Sequence, residues 1–107
     1  MSVAECEVAD LVSADVAADA MHMAVQWIRA RDCFADVSFI GFDRVKGRAW
    51  VWFSSLDAMR RNLPGVGATV TRDGSCDKWE TTVDELDFTC RNYITRYPDQ
   101  TSREEVL

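Results

Sequence analysis

This chain predicts an α+β domain, an antiparallel sheet with helices on one face and a further helix at the carboxyl end. Three observations carry that expectation. Residues 36–53 alternate their side-chain character on either side of a glycine-bearing loop, as a β-hairpin does. Residues 14–31 repeat apolar side chains at helical spacing. Turn signals at Pro64-Gly65 and Asp73-Gly74 then divide the rest into short segments. At 107 residues, with 48% apolar and 28% charged residues, the chain suits one globular domain with an ordinary core and not a disordered segment. Residues 1–97 are expected to form that domain, and 98–107 a mobile polar tail.

The elements follow in order. Residues 3–9 alternate weakly and are read either as a first strand or as a flexible start. Ser13 offers a helix cap and Asp15 an acid in the first turn, where the helix dipole favours it. Ala17, Ala20, Met21, Ala24, Trp27 and Ile28 form the buried stripe, and His22 falls on the solvated side. Asp36 to Phe42 reads as a strand, residues 43–47 as a loop, and Arg48 to Phe53 as the partner strand. Ser54 or Ser55 caps a short helix bearing Leu56, Met59 and Leu63, which Pro64 and Gly65 stop. Residues 67–72 and 76–81 are strands joined at Asp73-Gly74. Thr82-x-x-Glu85 reads as a capping box opening a last helix over 83–97, with Leu86, Cys90, Tyr93, Ile94 and Tyr97 as its buried stripe. Leu86, Phe88 and Cys90 also alternate as a strand would, which is the rival reading.

The stretch Lys46-Gly47-Arg48-Ala49-Trp50-Val51-Trp52-Phe53 holds the candidate site. Successive strand residues point to opposite faces, so Lys46, Arg48, Trp50 and Trp52 share one face, and Ala49, Val51 and Phe53 the other. Tryptophan and arginine dominate binding hot spots, so this face is the expected contact surface. Trp50 and Trp52 serve as anchors, Arg44, Lys46 and Arg48 as a polar rim, and Phe42 as a neighbouring ring.

Charge narrows the partner. The net charge of −6 hides a basic centre: residues 1–28 hold five acids and no Lys or Arg, whereas residues 29–72 hold eight bases and four acids. An acidic domain is a poor match for free nucleic acid as main ligand, since phosphate binding usually comes with a basic one. A basic protein, including one within a ribonucleoprotein, suits it better. Cys6, Cys33, Cys76 and Cys90 have no Cys-x-x-Cys spacing, and the one histidine lies far from them in sequence, so reduced thiols and no metal or other cofactor are expected. The first segment carries Glu5, Glu7 and Asp10 without a basic start, unlike a secretory signal. No apolar run reaches 18 residues. An intracellular, cytoplasmic protein without a membrane span is the expectation. No catalytic constellation such as Gly-x-Ser-x-Gly or His-Glu-x-x-His occurs, so an enzyme is not expected.

The element order strand, helix, strand, strand, helix, strand resembles that of the RNA recognition motif. Lys46, Gly47, Ala49, Trp50, Val51 and Phe53 fit that family's third-strand signature, with Trp50 where Phe or Tyr is usual and Arg48 in place of one stacking aromatic. The first-strand signature would fall on Cys6 to Leu11, with Glu7 at its stacking position. The resemblance implies a ferredoxin-like fold and single-stranded RNA stacked at Arg48 and Trp50. Separately, Ala20-Met21-x-Met23-Ala24-x-x-Trp27 followed by a hairpin is similar in layout to small phage-encoded anti-CRISPR proteins. That likeness implies an inhibitor acting in the host cell. Together these give a non-enzymatic protein-binding module that inhibits or caps a nucleic-acid-handling complex, with an RNA-binding domain as the alternative. A purely structural subunit, whose tryptophan face packs in a homodimer or is covered by the final helix, is the third possibility.

Overall fold

The computed structural model describes residues 13–93 and 102–107. The segment 3–9, the signature positions 6–11, and Ile94 and Tyr97 lie outside the described residues. Helix α1 spans Ala14–Arg31. Ser13 caps it, its Oγ accepting the Val16 N–H at 3.3 Å, and it ends where Asp32 turns left-handed at φ 52°. After a 3-10 turn at Phe34–Asp36, strands β1 (Val37–Asp43) and β2 (Arg48–Phe53) form the expected hairpin. Asp43 Oδ1 accepts the N–H groups of Val45 and Lys46, at 2.9 and 3.0 Å, and fixes the loop. Gly47 closes that loop at φ +72°, a conformation costly for any residue with a Cβ. Helix α2 (Leu56–Asn62) is capped by Ser55, whose Oγ accepts the Ala58 N–H at 3.0 Å. Strands β3 (Gly67–Asp73), β4 (Cys76–Val83), β5 (Leu86–Tyr93) and β6 (Ser102–Val106) complete the described chain.

The result is an α+β domain with a six-stranded sheet in the order β1-β2-β5-β4-β3-β6. The sheet is mixed and not purely antiparallel as expected, because β2 pairs with β5 in parallel, Val51 opposite Phe88. Residues 86–93 are strand, and among the described residues there is no carboxyl-terminal helix. Thr82 and Glu85 make no capping box. Asp84 and Glu85, at φ 52° and 65°, form the two-residue turn between β4 and β5. The Thr82 hydroxyl instead donates across the hairpin to Asp87 Oδ1 at 2.6 Å. Tyr93 is exposed and not part of a buried stripe.

The expected mobile tail is also corrected at 102–106, where β6 pairs with β3 along the far edge. Leu107 extends this contact, its N–H donating to the Val66 carbonyl at 2.8 Å and its own carbonyl accepting the Gly65 N–H at 3.0 Å. Arg103 of β6 reaches the buried Asp77 of β4, Nη2 to Oδ2 at 3.1 Å. That ion pair satisfies a carboxylate that burial would otherwise penalise.

Both helices supply residues to one apolar cluster with β2 and β5. Trp27 of α1 sits 4.6 Å from the Phe88 ring and edge-on to Phe53, and Phe53 stacks on Phe88 at 5.9 Å. Ala58 and Met59 of α2 join them. Each large side chain so buried contributes on the order of 1.5–3 kcal/mol. Trp79 of β4 is buried too, with the Arg60 guanidinium 5.4 Å above it. Two of the four tryptophans are therefore core residues. The other two are not.

Candidate functional site

Strand β2 alternates as its sequence requires: Ala49, Val51 and Phe53 are fully buried, whereas Arg48, Trp50 and Trp52 are half-buried. The helices cover the first set, which leaves the second on the face that no described helix covers. Antiparallel partners lie on the same face, so the register with β1 decides what stands beside the tryptophans. Phe39 pairs with Trp52, Gly41 with Trp50 and Asp43 with Arg48. Phe42 pairs with Ala49, on the helix-covered side. Phe42 therefore leaves the expected cluster, and Phe39 takes its place. A shift in pairing between Val37 and Phe39 and apolar residues on both parities of β1 concealed this in the sequence.

Three rings meet on the open face. Phe39 lies edge-on to Trp52 at 5.7 Å, and Trp52 edge-on to Trp50 at 6.3 Å. Arg91 of β5 stands over Trp52, its Cζ 5.5 Å from the ring centroid, a cation–π arrangement. Trp50 lies across β1 at Gly41, so close that a Cβ on residue 41 would fall 1.9 Å from Trp50 Cζ2. Glycine at 41 is what lets the indole lie down on the neighbouring strand.

Trp50 and Trp52 form one wall of a groove of about 630 Å³ that runs over β5 and β4 to Gly67 and Glu104. Lys46 lines it beside Trp50 and Trp52, while Arg44 is exposed in the hairpin loop and outside the lining. Much of the polar lining is engaged internally. Arg48 Nε lies 3.5 Å from Asp87 Oδ2, Lys78 Nζ lies 3.7 Å from Glu80 Oε2, and Thr69 donates to Glu104 at 2.9 Å. At the groove's lip the backbone N–H groups of Lys46 and Val45 hold the Asp43 carboxyl below its ordinary range. Asp43, Glu80, Asp87 and Glu104 thus oppose Lys46, Lys78 and Arg91 along the lining, with Arg48 paired to Asp87 beside it. The face is electrically balanced, and its aromatic surface is what a ligand would find uncommitted.

Arg91, Asp87 and Thr89 enter the site because residues 86–93 are a strand; a helical reading of that segment hid them. Elsewhere, His22 is exposed and sits 3.3 Å from Gln26, one helical turn on. Burial pushes the Cys90 thiol up to about 12 and raises that of Cys33 as well, so neither is suited to act as a thiolate. Among the described residues, no group of three or more His, Cys, Asp or Glu side chains is placed to hold a metal ion. No described helix is long and apolar enough to cross a membrane. No family model matches the chain, and no curated protein or solved structure does either.

Proposed function

We infer that this chain is a non-enzymatic protein-binding module that docks through the sheet face that no described helix covers. The observation that carries this reading is the row Phe39, Trp52 and Trp50, held edge-to-face and half open to solvent beside Arg91 and Lys46. Rigid aromatic anchors flanked by guanidinium groups are what protein hot spots are made of. Charge favours protein over nucleic acid as the occupant. A phosphate chain needs uncompensated cations, and here Arg48 and Lys78 each face a carboxylate. The chain's net charge of −6 steers it toward a basic partner. A basic subunit of a nucleic-acid-handling complex, inhibited or capped by this chain, fits that chemistry and the likeness to small phage inhibitors.

Capture from nuclease-treated lysate with wild type and Trp52→Ala tests the reading. The variant is expected to lose the captured basic protein while its thermal melt stays within a few degrees of wild type. Equal capture by both overturns the reading. So does a single-stranded RNA that quenches tryptophan emission at about 0.15 M salt, where weak phosphate contacts are screened; that result would favour the RNA recognition motif alternative.

A further inference from the structure

Among the described residues, the two edges of the sheet are unlike each other. On β6 the edge carries Arg103, Glu104 and Glu105, charges that discourage a further strand from adding. The β1 edge has no charged side chain from Val37 to Phe42. Its pairing irregularity falls at the first step, between Val37 and Phe39, and leaves Phe39–Asp43 in regular register. Three of the most exposed apolar residues are spaced along this edge: Phe34 at 74%, Phe39 at 60% and Val45 at 83%. Beside it, Val25, Ile28, Phe34 and Ile40, with Arg29 and Asp32, line a groove of about 310 Å³ between α1 and the strand.

We propose that a second copy of this chain occupies this edge, its β1 pairing antiparallel with the first about a two-fold axis at Ile40. The edge is self-complementary in that register. Phe39 of one copy falls opposite Gly41 of the other, where the Trp50 indole already lies over the strand. The aromatic row then runs on across the axis, and each copy adds a ring to the other's tryptophan face. The same register brings the hairpin tip of one copy alongside the Phe34–Asp36 turn of the other. Val45 there falls at Ala35, beside Phe34, and Arg44 falls at Asp36. Asp36 already accepts from Arg61 at 2.8 Å and Asn62 at 2.9 Å, and a carboxylate has lone pairs for a further donor. Acid against base and ring beside ring are the match an isologous interface needs, and two-fold pairs are the commonest assembly. This inference does not depend on the docking reading, since the edge can pair whether or not the sheet face binds a partner.

Sedimentation across a concentration series tests it, using wild type, Phe39→Lys, Arg44→Asp and, on the opposite edge, Val106→Lys. Wild type is expected to dimerise. Phe39→Lys should weaken the dimer roughly tenfold and Arg44→Asp roughly fivefold, through an edge charge and a like-charge pair with Asp36. Val106→Lys should leave it intact. Phe39 and Arg44 are both exposed, so these variants are expected to melt as wild type does, and Arg44→Asp carries the test if Phe39→Lys misfolds. A wild type that stays monomeric at its highest soluble concentration overturns the proposal. So does a dimer that Phe39→Lys and Arg44→Asp leave unchanged, or one that Val106→Lys dissolves.

Discussion

Gly41→Ala probes the aromatic face with a single methyl group. The added Cβ would sit 1.9 Å from Cζ2, 2.2 Å from Cε2 and 2.7 Å from Cη2 of Trp50, so the indole has to leave its place over β1. The backbone itself accepts alanine, because Gly41 is not among the positive-φ residues. Loss of unfolded-state freedom should even favour the variant by about 0.4–1 kcal/mol. Against that, forcing a ring out of a packed position costs about 1–3 kcal/mol. The net expectation is a loss of about 1–2 kcal/mol, or about 5–15 °C in melting temperature for a domain of this size. Tryptophan emission should shift to the red as Trp50 gains water, while buried Trp27 and Trp79 stay as they are. The cause is isolated by a double-mutant cycle. In a Trp50→Ala background there is no indole to meet, so Gly41→Ala should become neutral or mildly stabilising, with a coupling of about 1–3 kcal/mol. An unshifted emission with an unchanged melt would refute the geometry, as would an equal loss in both backgrounds.

Other consequences can be checked in the same preparations. Glu85→Gly should stabilise the chain by about 1 kcal/mol in urea titration, because residue 85 holds φ 65° in a turn that favours glycine; a helix over 83–97 would instead make the change destabilising. Cys33, Cys76 and Cys90 are buried, so they should resist a thiol reagent at pH 8 until denaturant is added, and early reaction of any of them would contradict the packing. The Arg61 hydrogen bond, with Asn62 second, holds the Asp36 carboxyl below its ordinary value. Because its folded pKa is depressed, its stabilisation is present above the unfolded pKa near 4 and is lost as pH falls through the lower folded value. Asp36→Asn should therefore flatten the acid limb of a melting-temperature profile, and a profile identical to wild type would count against the ion pair.

The sequence exposed those parts of the fold whose signals are local. Both helix caps, Ser13 and Ser55, lie beside the periodic segments they open, and the β1–β2 hairpin alternates on its core strand without exception. What it concealed depends on distant partners. Residues 86–93 are a strand because β4 on one side and β2 on the other, with Val51 opposite Phe88, bury Leu86, Phe88 and Cys90. A Thr-x-x-Glu spacing carries no information about that tertiary choice, and here Thr82 lies near the end of β4 while Glu85 sits in the tight turn after it. Ser102–Val106 has too many charges to read as a strand and is one only through β3. The face assignment of β1 failed for a related reason. Val37 and Phe39 on one parity and Ile40 and Phe42 on the other make both faces look apolar, and only pairing with β2 breaks the tie.

The position of Gly41 connects these features. A tryptophan on the open face of a sheet next to an edge strand would ordinarily stand upright and lose much of its contact with protein. With a glycine opposite, Trp50 lies across the edge strand and carries the aromatic surface outward to the rim of the sheet. Phe39, two residues along, continues that surface at the same rim through Trp52. The face and the edge are therefore one physical unit: whatever docks on the rings also meets β1, and whatever pairs with β1 also meets the rings. Gly41→Ala should accordingly weaken both partner capture and self-association, and Trp52→Ala, which removes the ring that Phe39 packs against, should weaken both as well. If Gly41→Ala impaired only one of the two, the rings and the edge would have to act as separate surfaces.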